Sequence, residues 1–185
     1  MKLHVIFAST REGRQGLPIA EWVVEQARAH GKFEPRLVDL REMNLPLFDE
    51  PKHPRFRQYE HAHTKAWSAL VDAADAFVFV TPEYNYNMPP ALVNAIDYLF
   101  QEWAYKPASV VSYGGVSGGT RSAQMTRLML TGLKVMPLPE AVSVPFFSKM
   151  IVDGKFVPGE LQEKSAAAML DELERWSRAL ATLRK

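Results

Sequence analysis

The chain has 185 residues, enough for one sizeable core and too few for two ordinary domains. Hydrophobic residues make up 47% and charged residues 23%, ordinary globular usage that excludes disordered and fibrous classes. The 22 Lys+Arg and 21 Asp+Glu leave a formal net charge of +1, no global basic field for nucleic acid, and the absence of cysteine excludes disulfide scaffolds, iron–sulfur ligation and thiol chemistry.

Residues 3–8 form a first apolar run, too short for a signal core and soon followed by Arg11 and Arg14. The run predicts a strand leading into a polar, glycine-bearing loop at 9–16. Pro18 then opens a helical pattern whose apolar face (Ile19, Ala20, Val23, Val24, Ala27) ends near Gly31. A weaker strand follows at 36–40. Residues 44–56, with three prolines, predict a surface loop on the rim of a site. Ala62, Ala66, Leu70 and Val71 recur at helical spacing within 59–74.

The most continuously apolar strand is 76–80, followed by a helix opening at Pro90 and carrying Leu92, Val93, Ala95, Ile96 and Leu99. Glu102 and Trp103 close that helix. A strand at 109–112, a helix at 119–130, a strand at 141–144 behind Pro137 and Pro139, and a helix at 160–183 complete the order. Met125, Met129 and Met136 read as core filler. Strands without polar interruption, alternating with helices, predict one α/β domain over 1–185: a five-stranded, doubly wound parallel sheet with helices on both faces. No stretch of about 18 apolar residues suits a transmembrane helix, so the expectation is a cytoplasmic protein with neither membrane nor nucleic-acid partner.

In such a sheet ligands bind beyond the carboxyl ends of the strands, which directs attention to three loops. The first carries Ser9, Thr10, Arg11, Arg14, Gln15 and Gly16 into a helix N-terminus. Hydroxyls, guanidinium groups and unpaired N–H groups suit a phosphate. Neither the Walker pattern nor the dinucleotide fingerprint is present. The second, Pro82, Glu83, Tyr84, Asn85, Tyr86, Asn87, Met88, Pro89, is either a rigid cradle for the edge of a flat heterocycle or a stiff connector with packing tyrosines. The third holds Ser112, Tyr113, Gly114 and Gly115 before Gly118 and Gly119; so many glycines imply close approach to backbone, or else a flexible loop. Arg121 is an anion clamp or a subunit-interface ion pair. His61 and His63, two apart on a helix, should point in divergent directions and share no metal. Neither a Ser–His–Asp arrangement nor a carboxylate pair is legible.

With these loops in place the chain resembles the NADPH-dependent FMN reductase family, flavodoxin-like proteins that include quinone, chromate and azo-dye reductases. The resemblance rests on Ser9-Thr10-Arg11 with Gly16, on Pro82-Glu83-Tyr84-Asn85 followed by Pro89 and Asn94-Ala95-Ile96-Asp97, and on Gly118-Gly119 with Arg121. It implies FMN as cofactor and NADPH, or NADH, as co-substrate, with hydride passing through the flavin to a small acceptor. It further implies that Ser9, Arg11, Gln15 and Gly16 hold the FMN phosphate. Pro82, Glu83, Tyr84 and Asn85 would border the isoalloxazine, with Ser112, Tyr113, Gly114 and Gly115 along its other edge. A homodimer or homotetramer is expected, and the flavin leaves no need for a side-chain nucleophile. Tyr86 and Pro90 depart from the family, which often has a small residue and a glycine there. Two rival readings stand beside this one: a non-enzymatic FMN carrier or sensor, and a flavin-free enzyme acting on another phosphorylated ligand.

Overall fold

The computed structural model describes residues 1–184. Alternation along the first strand, β1 (Lys2–Phe7), divides the interior in two, because successive side chains point to opposite faces. Leu3, Val5 and Phe7 face one core; Ile6 and the following Ala8 face the other. The first core is roofed by α1 (Leu17–His30) and α6 (Glu160–Leu180). The second lies under α3 (Ala62–Asp72) and α4 (Pro90–Asp97), joined by Leu130 of α5 (Thr120–Thr131).

Beside β1 lie β2 (Glu34–Asp39) and β3 (Ala76–Pro82), with β4 (Pro107–Tyr113) beyond β3. All of these pairs are parallel. Every residue of β3 and β4 is buried, as a strand covered on both faces requires. The order β2-β1-β3-β4 means that the chain adds strands to one side of β1 and then to the other, and at this switch point a crevice opens beyond the carboxyl ends of β1 and β3. A short helix, α2 (Leu40–Met43), follows β2 with Asp39 accepting from the Arg41 amide.

The expected fifth lane is present but split into β5 (Met136–Pro137) and β6 (Val142–Val144), both parallel to β4. Ala108 pairs with Pro137 and Val111 with Val142, so three steps along β4 match five along the outer lane. Pro137 and Pro139 lack the N–H that would continue the ladder. Between them the Leu138 amide donates to the Ala108 carbonyl (2.8 Å), and its side chain is fully buried. A hairpin of β7 (Ile151–Val152) and β8 (Lys155–Phe156) turns through Asp153 and Gly154, both at positive φ (48° and 74°), and seats Phe156 against Trp22.

Three expectations change. Glu102 and Trp103 sit in a short 3-10 turn beyond α4 and are fully buried; Glu102 accepts from the hydroxyls of Tyr59 (2.9 Å) and Ser68 (2.6 Å). Met129 and Met136 pack against the cores, whereas Met125 is exposed. α3 starts at Ala62, leaving His61 extended just before it. The His61 and His63 rings therefore stack (centroids 5.2 Å apart, 11° between planes) instead of diverging, and His63 Nε2 lies 3.0 Å from Asp49.

Candidate functional site

The loop after β1 is pinned from within. Arg14 forks onto the buried Asp39 carboxylate, donates to the Ser9 carbonyl (2.9 Å) and lies over the Phe7 ring. That commits Arg14 to structure and leaves Arg11 and Gln15 exposed on the lip, with no side-chain partner among the described residues. The backbone amides of residues 10–13 have no intrachain acceptor among those residues either. Behind them, Gly16 precedes α1, which has no side-chain cap, no acidic residue in its first turn, and Pro18 near its start. Uncapped N–H groups at a helix N-terminus carry partial positive charge and favour an anion.

Gly16 is dictated by its neighbour. A Cβ there would overlap the ring of Tyr113, which reaches from the end of β4 across to the first loop. Tyr113 is almost wholly buried and packs edge-on against Phe147. Burial raises its phenol above the ordinary range, with Tyr84 adding to the effect, so it stays a neutral hydroxyl at all working pH values. Ser9, also buried, places its hydroxyl 3.1 Å from that of Tyr84, joining the first loop to the second.

In the second loop Tyr84 and Asn87 exchange both backbone hydrogen bonds (2.9 and 3.0 Å) around Asn85 and Tyr86 at φ 50° and 68°. This is a type I′ turn, with a bulky residue where glycine is usual. Tyr86 is 68% exposed, and the Arg121 guanidinium lies 4.0 Å over its ring. Glu83 turns the other way. One carboxylate oxygen accepts from the Arg121 side chain (2.6 Å), the other from the Arg121 amide (3.0 Å) in the first turn of α5. Burial acts to raise the Glu83 carboxyl, but the contacts with Arg121 outweigh it and hold it below its usual range. Arg121 therefore forms an ion pair within the chain, to Glu83.

The third loop is mostly self-satisfied. Ser112 is buried and donates to the Gly118 carbonyl (2.8 Å). Gly114 donates to Val144, and a Cβ on Gly119 would meet backbone atoms of Tyr113 at 2.7 and 2.8 Å. Gly115 differs: it is exposed, has open space where a side chain would stand, and its N–H has no partner among the described residues.

The structure thus gathers Ser9, Gly16, Tyr84 and Tyr113 at the mouth of the β1/β3 crevice. Arg11 and Gln15 lie at its lip, Gly115 and the Asn85 turn to its side. Pro82 ends β3, buried; Glu83, Ser112 and Gly114 spend their polar groups on the scaffold. Sequence reasoning missed the Arg14–Asp39 pin and the Tyr113–Gly16 contact. The first had a signal, because Asp39 ends the strand next to Phe7 in parallel register.

These residues fit a phosphorylated flat ring: free amides, an uncapped helix end and a free guanidinium at one end, an open glycine amide at the other. Residues 1–149 match the family model described as NADPH-dependent FMN reductase. An NAD(P)H-dependent FMN reductase of Schizosaccharomyces pombe is 40% identical over 147 residues, covering 78% of this chain and 74% of that protein. An NADPH azoreductase of a Bacillus species is 31% identical over 174 residues, covering 92% and 88%. Among solved structures, the flavoenzyme NAD(P)H:(acceptor) oxidoreductase FerB of Paracoccus denitrificans superposes with a TM-score of 0.76 at 21% identity, covering 96% of this chain and 97% of that one. The reversal of strand order at a crevice rich in free donors has its counterpart in the family match: this chain belongs to the NADPH-dependent FMN reductases.

Proposed function

We propose that the three crevice loops form the FMN site of an NAD(P)H-dependent reductase whose acceptor is a small quinone or azo compound, and that the enzyme works as a homodimer or homotetramer. The observation that carries the reading is the set of uncommitted donors at the α1 N-terminus, faced by no acidic side chain of its first turn. In this assignment Arg11 forks onto the FMN phosphate, with the amides of residues 10–13, Gln15 and the Gly16 end of α1 completing its shell. Tyr113, fixed against Gly16, closes the base of the phosphate site, and the Ser9–Tyr84 contact keeps the first two loops at one spacing. Turn 84–87 and Gly115 border the ring. When bound, FMN supplies the electron relay between nicotinamide and acceptor, which leaves the protein the tasks of orientation and access. The net charge of +1 offers little steering toward a protein partner, which favours a small acceptor over a carrier role.

An anaerobic visible spectrum with FMN, before and after NADPH, tests this. Flavin bleaching much faster than with FMN alone supports a reductase; bound flavin that stays oxidised supports a carrier or sensor. Replacing Arg11 by Ala should weaken FMN binding roughly tenfold or more, the value of a charge-assisted hydrogen bond. Hydride transfer at saturating FMN should change little, and equal FMN affinity in mutant and parent would reject the phosphate assignment.

A further inference from the structure

A cleft of about 790 Å³ lies at the opposite end of the sheet, where β3 and β4 begin. Its lining carries five cationic side chains and two carboxylates. Both carboxylates are already engaged: Asp72 with Arg57 (3.1 Å), Asp75 with Arg184 (3.4 Å) and with the Lys2 amide (2.8 Å). Arg57 is further paired with the buried Glu102 (3.3 Å). The remaining three cations, Lys106, Lys134 and Arg55, have no carboxylate within ion-pair distance among the described residues.

Lys106 is the unusual one. It is 5% exposed, lies against the Phe77 ring, and among the described residues its ammonium donates only to the carbonyls of Val71 and Asp72 (2.9 and 3.0 Å) at the end of α3. Helix-end carbonyls take two of its three hydrogens and bring no full counter-charge. A buried cation without an anion is costly, and burial lowers this ammonium to about 8. Lys134 stands at the mouth beside Tyr105 (Nζ to hydroxyl, 3.4 Å), and Arg55 stands exposed on the rim. Small residues, Ala73, Ala74 and Ala104, leave the interior open, and Tyr105 and Phe100 give it flat apolar walls.

We propose that this cleft, with Lys106 in its wall and Lys134 and Arg55 at its rim, binds a phosphorylated small molecule at a site separate from the flavin loops. The charge surplus supplies the phosphate recognition, and the volume and aromatic walls accept the remainder of an ester. None of the residues assigned to FMN lines it.

The test is calorimetric titration of the FMN-saturated protein with inorganic pyrophosphate at low salt, so that the crevice phosphate site is already filled. Binding at one site is expected, weakened about tenfold or more in Arg55→Ala/Lys134→Ala and likewise in Lys106→Met. Lys164→Ala, which removes one positive charge from the exposed start of α6, should leave it within about twofold. The exposed rim pair keeps the test valid if Lys106→Met fails to fold. No binding at millimolar pyrophosphate, or equal weakening in Lys164→Ala, overturns the proposal.

Discussion

Two neighbouring residues decide the shape of the phosphate end. Gly16 is a glycine because Tyr113 occupies the volume where its side chain would go. Gly16→Ala should therefore cost about 1–3 kcal/mol by overpacking, read from urea unfolding. Adding Tyr113→Leu should recover part of that loss, so the two changes would couple in a double-mutant cycle. Strict additivity would show that the ring does not govern the glycine. The pair was not legible in the sequence, where Gly16 and Tyr113 are almost a hundred positions apart and each has a local explanation. What local chemistry did disclose was the character of the loop: hydroxyl, guanidinium and glycine between a strand and a helix. It could not distinguish Arg11 from Arg14, because that depends on Asp39 from the adjacent strand.

At the scale of elements, α5 is capped by a residue from another loop. Glu83 accepts the Arg121 amide and pairs with its side chain, tying the end of β3 to the start of a helix that follows β4. The Glu83 carboxyl is held below its usual value, so its contribution is present above the unfolded value of about 4.5 and is lost as pH falls through the lower folded value. Arg121→Met should consequently lower stability near pH 7 by up to about 1 kcal/mol, since Arg121 is half exposed. That difference from the parent should shrink as pH falls below about 4; a gap that persists in acid would exclude the ion pair as its cause. Elements themselves were well legible: apolar runs located every lane of the sheet, and Pro18, Gly31 and Pro90 located helix ends. The errors sit at boundaries. His61 was placed inside α3 by periodicity, but a residue just before a helix keeps an extended backbone, which turns its ring toward His63.

Across the whole molecule, stability and chemistry are drawn from different places. Glu102, fully buried, gathers Tyr59, Ser68 and Arg57 beneath α3, well away from the crevice loops. Glu102→Ala would strand three polar partners and should cost about 3 kcal/mol or more in denaturant unfolding. FMN affinity of the folded fraction should stay as in the parent; a parallel loss would mean that the two regions are coupled.

The split outer lane has a consequence for the protein in a crowded solution. A parallel sheet exposes one unpaired row of backbone groups at each side, a template on which another chain can add a strand. Here the β5–β6 side is broken by Pro137, Pro139 and a two-residue excess. The β2 side carries Glu34, Pro35 and Arg36. Neither side presents a long, flat, apolar ladder, so the same prolines that interrupt the fifth lane protect the folded chain from edge-to-edge aggregation.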